Sequence, residues 1–141
     1  SREQKNALQK AKDYLNYSSF SKVGLYDQLI YEQFPNDAVQ FAIDHIEVDW
    51  HDQAFQKGND YLEYSAFSYQ GLYDQLAYEG FENNEIQYAM DNISADWNDN
   101  ALRKAIDYLD FTSFSDQGLY DQLIYEGFSA DQAQYAINNL P

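Results

Sequence analysis

The chain has 141 residues, carries 24 Asp and Glu against 8 Lys and Arg, and contains no Cys. A formal net charge of −16 argues against nucleic-acid binding, because phosphate recognition runs on Lys and Arg, and the lack of Cys removes disulfides and thiolate zinc sites. No segment approaches the ~18 consecutive apolar residues of a bilayer span, and 14 Tyr, 9 Phe and 2 Trp are too many aromatics for a disordered chain.

Self-similarity sets the architecture. Gly-Leu-Tyr-Asp-Gln-Leu occurs at Gly24–Leu29, Gly71–Leu76 and Gly118–Leu123, a step of 47 residues each time. The same step links Phe20, Phe67 and Phe114, and again Phe34, Phe81 and Phe128. The sequence therefore reads as an all-α chain of three tandem repeats of 47 residues, copies one to three, over 1–49, 50–96 and 97–141. Each copy is expected to be a three-helix unit resembling a helix-turn-helix.

In the first helix of copy one, Ala7, Leu8, Ala11, Tyr14 and Leu15 fall on one stripe at helical spacing, and the helix is expected to end near Tyr17. Ser21 follows as an N-cap, with Ser68 and Ser115 in the other copies, and Phe20 with Leu25 has the spacing of a hydrophobic staple. The second helix runs to about Gln33. A third is expected to bury Phe41, Ala42 and Ile46, with Tyr88, Ala89 and Ile93 and then Tyr135, Ala136 and Leu140 matching. Ser129 and Gln132 have the capping-box spacing. Across the junctions, Ala42, Ile46, Trp50, Ala54 and Gly58 follow one another at steps of four, and so do Ala89, Ile93, Trp97, Ala101 and Ala105. This spacing predicts nearly continuous helices joining the copies into a short rod, with a fresh helix capped by Asp49 or Asp96 as the alternative. Trp50 and Trp97 stand only where a junction exists, which marks them as inter-repeat structural residues.

The third helices would be the ones to read DNA in a helix-turn-helix, yet 36–48, 83–95 and 130–140 contain no Lys or Arg. No nucleophile motif, phosphate loop or dense calcium loop is present, and His45 and His51 lack counterparts in the other copies. No catalytic, cofactor-binding or metal-binding residue is therefore named. Glu32, Glu79 and Glu126 are read as structural, satisfying the free N–H groups that open the third helix. The candidate partner-binding residues are the outward pairs Asp27 and Tyr31, Asp74 and Tyr78, and Asp121 and Tyr125. Tyrosine is enriched at interfaces, and a threefold repetition suits an extended partner. The charge favours a basic one.

One pattern is fully visible in copy three: Ala101, Ala105, Tyr108-Leu109, Phe114-Ser115, Gly118-Leu119, Asp121-Gln122-Leu123 and Glu126-Gly127-Phe128. With Asp49-Trp50 and Asp96-Trp97 it resembles the Ltp-type repeat family, and the resemblance covers essentially the whole chain. Copy one departs from the pattern at Gln33, where Gly80 and Gly127 stand in the others. The resemblance implies a non-enzymatic lipoprotein of Gram-positive bacteria and their temperate phages. Such a protein would sit on the extracellular face of the cell membrane through an N-terminal lipid anchor. Its implied role is superinfection exclusion, in which a resident prophage's product stops a second phage from injecting DNA. Joined to the acidic, Tyr-lined surface, it suggests a monomer that binds a basic or amphipathic phage tail protein such as the tape-measure protein. A bacterial surface adhesion or polymer-binding module is the alternative. Tyr125-Glu126-Gly127-Phe128 also looks like the loop of a ubiquitin-associated domain, whose third helix has no counterpart after Pro141.

Overall fold

Nine helices and no strands make up the chain, three helices to a copy. Copy one holds α1 (Arg2–Tyr17), α2 (Lys22–Tyr31) and α3 (Asn36–His45). Copy two holds α4 (Trp50–Tyr64), α5 (Tyr69–Tyr78) and α6 (Asn83–Asn92), and copy three holds α7 (Trp97–Phe111), α8 (Asp116–Tyr125) and α9 (Ala130–Asn138). The computed structural model describes every residue from Ser1 to Pro141.

The helix starts are fixed locally. Ser21, Ser68 and Ser115 each accept from the N–H of the glycine three residues on, at 2.9, 2.8 and 3.0 Å. Each satisfies one of the donors that a helix start leaves free. Ser129 and Gln132 close a reciprocal capping box, as do Ser1 and Gln4 at the start of α1.

Contacts gather the chain into two compact units, Ser1–Gly58 with Leu76–Asn92, and Asn59–Gln75 with Ile93–Pro141. In the first, Ala7 and Ala11 of α1, Leu25 and Leu29 of α2, and Ala38, Val39, Ala42 and Ile43 of α3 close a core. The alanines let α1 lie close on α3, and each buried leucine contributes about 2 kcal/mol of transfer free energy. The second unit repeats the arrangement with Ala101, Ala105, Leu119, Leu123, Phe128, Ala133 and Ala136.

The junctions differ from the sequence expectation of nearly continuous helices. α3 stops at His45, and the backbone turns extended at Ile46, with φ −67° and ψ 133°. A new helix then starts at Trp50, and the same gap separates α6 from α7. Asp96 caps α7 through its carboxylate, which accepts from Asp99 N–H at 3.0 Å. On the ending side, the Nδ2 groups of Asn92 and Asn139 donate to the carbonyl four residues back, at 2.8 Å each, and His45 Nδ1 meets the Phe41 carbonyl at 2.8 Å. Side-chain bonds of this kind compete with helix propagation, and an Asp cap restarts the helix.

The buried face of α3 also differs from the expected one, because positions 39, 42, 43 and 46 share one helical stripe and Phe41 lies off it. Val39, Ala42 and Ile43 are buried, whereas Phe41 is half-buried and stacks on His45 at 4.0 Å. In the other copies Ile86, Ala89 and Met90 and then Ala133 and Ala136 are buried, while Tyr88 and Tyr135 are exposed.

One joint between consecutive copies occurs twice, once within each unit. In the first, Phe20 N–H donates to Gln53 Oε1 at 2.9 Å, Ser21 Oγ donates to the Glu79 carbonyl at 2.6 Å, and Lys57 Nζ lies 5.9 Å from the Phe20 ring centre. In the second, Phe67 N–H donates to Asn100 Oδ1 at 3.1 Å, Ser68 Oγ donates to the Glu126 carbonyl at 2.6 Å, and Lys104 Nζ lies 5.8 Å from the Phe67 ring centre. Trp50 packs half-buried against the copy-one core, and Trp97 stands edge-on to Tyr69 at 5.6 Å. Gly80 and Gly127, at φ 98° and 102°, close the joints. A Cβ on Gly80 would lie 3.1 Å from Ser21 Oγ, and one on Gly127 would lie 2.9 Å from Ser68 Oγ.

Candidate functional surface

The Leu positions of α2, α5 and α8 fix those helices inward, and the same periodicity turns Tyr31, Tyr78 and Tyr125 outward. Their exposures are 80%, 86% and 85%. Asp27, Asp74 and Asp121 are exposed as well. The carboxylates of Asp74 and Asp121 accept from Gln70 and Gln117, one turn earlier, at 2.8 and 2.9 Å. All six sequence-derived candidates thus stand in solvent.

Beside these tyrosines lies a second repeated group. Tyr14 OH donates to Glu32 and Tyr108 OH donates to Glu126. Gln28 Nε2 donates to the Tyr14 hydroxyl oxygen and Gln122 Nε2 to that of Tyr108, both at 3.1 Å, while Gln75 makes the matching bond to Tyr61 at 3.2 Å. The rings of Tyr14, Tyr61 and Tyr108 meet Phe20, Phe67 and Phe114 edge-on. Glu32 and Glu126 are therefore structural, but their partner is a tyrosine of the first helix and not the N–H groups of the third. The third helices find other caps: Ser129 opens α9, and Glu85 accepts from Glu82 N–H at 2.9 Å before α6. The spacings 14/28/32 and 108/122/126 carried this network in the sequence, but no rule based on a single helix joins them.

Hydrogen bonding to the Glu32 carboxylate, with a smaller burial effect, raises the Tyr14 pKa above 10.0. For Tyr108 burial is the larger cause and the Glu126 hydrogen bond the second. Tyr31 and Tyr125 directly precede Glu32 and Glu126 in the chain. A folded pKa above the unfolded one favours the protonated form in the native state. The stabilisation is complete below pH ~10 and is lost as pH rises through the folded value. Tyr108→Phe should cost about 1 kcal/mol at neutral pH, and the gap from the parent chain should narrow above pH ~10. Urea unfolding across that range measures it; a gap that widened with pH would refute the assignment.

Three further aromatics share the period and escaped sequence reading. Tyr17, Tyr64 and Phe111, at the ends of α1, α4 and α7, are 91%, 82% and 90% exposed. Their spacing of 47 is visible in the sequence, but the helical stripe that marks the core does not include them. Phe111 lines an open recess of about 350 Å³ with Lys104, Asp107 and Tyr108. No group of His, Asp and Glu is arranged to hold a metal ion, and no helix is long and apolar enough to cross a membrane.

The model of a family described as host cell surface-exposed lipoprotein matches three times, over residues 2–46, 49–93 and 96–140. Among solved structures, Ltp, a superinfection exclusion protein from the Streptococcus thermophilus temperate phage TP-J34, is 31% identical with a TM-score of 0.62; the match covers 67% of this chain and 100% of that one. Regulatory protein RecX aligns at 16% identity and a TM-score of 0.76, over 97% of this chain and 72% of its own. RecX from Lactobacillus salivarius aligns at 15% and 0.72, over 99% and 97%. At those identities the RecX likeness is one of fold alone. No curated protein matches the chain.

Proposed function

The chain belongs to the family of host cell surface-exposed lipoproteins, and from that premise we propose that it acts in superinfection exclusion by binding a component of an incoming phage tail. The observation that carries the binding surface is the threefold recurrence of an outward tyrosine beside an outward aspartate, at Tyr31, Tyr78 and Tyr125 with Asp27, Asp74 and Asp121. Tyrosine offers a large contact area at low entropic cost, and the carboxylates favour Lys or Arg on the partner. A net charge of −16 speeds encounter with a basic surface and discourages anionic ones. The partner that fits is a basic or amphipathic helical tail protein of the tape-measure kind, held by several copies at once so that DNA does not follow it into the cell. A lipid anchor ahead of the repeats would keep the chain on the extracellular face. Neither catalysis nor a cofactor enters this reading.

Binding of the purified chain to isolated tail components, measured at low and high salt, tests it. Affinity should fall more than tenfold between ~50 mM and ~500 mM salt, because exposed charges are screened. Replacing Tyr31, Tyr78 and Tyr125 together by Ala should weaken binding about 100-fold, from about 1 kcal/mol at each position. If no tail component binds at low salt while cells carrying the anchored protein remain protected, the proposal is wrong.

A further inference from the structure

A further repeated group lies on the first helix of each copy. The pattern Lys-x-x-Asp-Tyr-x-x-aromatic recurs over 10–17, 57–64 and 104–111. Its members fall at i, i+3, i+4 and i+7, on one side of the helix. The exposed position just before the aromatic changes freely, as Asn16, Glu63 and Asp110. The aromatic does not, although packing gives it no reason to persist: Tyr17 is 91% exposed, Tyr64 82% and Phe111 90%. Phe111 has no polar tip to hydrate, so its place at the end of α7 keeps a whole apolar ring in water.

Copy three shows what surrounds that ring. Phe111, Lys104, Asp107 and Tyr108 line the open recess of about 350 Å³, within the range of ligand clefts, which begins at ~300 Å³. Lys104 is half-buried, with Nζ 5.8 Å from the Phe67 ring centre, so its ammonium is held in place. Asp107 is exposed. The Tyr108 hydroxyl donates to Glu126 and accepts from Gln122, which leaves its ring as a fixed wall. The recess thus joins a flat apolar face to a cationic donor and an anionic acceptor. Copy one carries the same set in Lys10, Asp13, Tyr14 and Tyr17, with the Tyr14 hydroxyl held by Glu32 and Gln28. This combination matches a pyranose ring, whose C–H face stacks on an aromatic while its hydroxyls both donate and accept. A net charge of −16 discourages a polyanionic chain. The nine helices offer no strand edge to an extended peptide, and one ring is too little apolar surface for an amphipathic helix, which is read through anchors over two turns.

We propose that these faces of the first helices bind a neutral polysaccharide, with Tyr17, Tyr64 and Phe111 as the rings on which its sugars stack. Repetition along the chain suits a polymer, because weak single sites then reinforce one another. The inference is independent of the tail-protein reading, which uses the second helices. Retention of the full chain on columns of immobilised dextran, galactomannan and chitin tests it. At least one of these polymers should retain the native chain, and the affinity should change less than about twofold between ~50 mM and ~500 mM salt, since stacking is not screened. The Tyr17→Ala/Tyr64→Ala/Phe111→Ala variant should lose retention, while Phe111→Tyr should keep it, with circular dichroism confirming that both variants are helical. Retention by none of the three polymers overturns the proposal. So does retention that high salt abolishes, or that survives in the folded triple variant, since charge or another surface would then hold the polymer.

Discussion

Gly127→Gln should destabilise the chain by about 3 kcal/mol, while Gln33→Gly at the matching position should change stability by less than about 1 kcal/mol. Both residues end the second helix of their copy with positive φ, 102° for Gly127 and 71° for Gln33. At Gly127 a side chain meets two costs. The left-handed backbone disfavours any Cβ by roughly 1–2 kcal/mol, and that Cβ would stand 2.9 Å from Ser68 Oγ and 3.1 Å from Gln70 Cβ, an overlap of the kind that costs roughly 1–3 kcal/mol in packed sites. At Gln33 the strain is already present and no joint closes over it. Glycine there relieves the strain but gains freedom in the unfolded chain, and the two effects oppose each other. Urea unfolding followed by circular dichroism reads both. Equal effects would mean that the joint exerts no steric demand at the glycine.

This contrast also shows what the sequence made legible. The departure at Gln33 is plain in the 47-residue alignment, but its reason lies in a neighbouring copy, 58 residues from Ser21 to Glu79 along the chain. Within a helix the sequence was sufficient for the caps and for the second helices, though not for the buried face of the third, where Phe41, Tyr88 and Tyr135 lie off the core. Serine caps, the Ser129 capping box and the outward positions of Tyr31, Tyr78 and Tyr125 all follow from periodicity and local hydrogen bonding. Across elements it was not. The steps of four from Ala42 through Trp50 suit a continuous helix, and also suit two helices whose last and first turns face the same core. The bonds made by the side chains at His45 and Asn92, with the Asp96 cap, mark the break at the junctions.

The Glu32 and Glu126 positions carry the same lesson for the surface. A glutamate at the end of a helix is electrostatically disfavoured, so a partner was expected, and the nearest donors in sequence were the N–H groups opening the next helix. The structure supplies a tyrosine 18 residues back. Fixing each carboxylate on a tyrosine of the first helix holds the end of the second helix, and with it the adjacent outward tyrosine. The proposed binding residues thus stand on a braced scaffold, a condition for low ordering cost on binding.

Two neighbouring positions of α8 separate scaffold from surface. Leu123 is fully buried in the core of its unit, and Tyr125, two residues on, is 85% exposed. Leu123→Ala removes buried methyl groups and leaves a cavity that a helix pinned on both sides cannot collapse into, so it should cost about 3 kcal/mol, or about 10 °C in Tm. Tyr125→Ala removes a side chain with little packing and should stay within ~0.5 kcal/mol of the parent. Binding should invert this order. Wherever the chain remains folded, Leu123→Ala should leave affinity for a tail component nearly unchanged, whereas Tyr125→Ala should lower it several-fold. Thermal unfolding and binding measured on the same two variants decide the matter. If Tyr125→Ala alters neither, the outward tyrosines are solvated surface and the partner is recognised elsewhere.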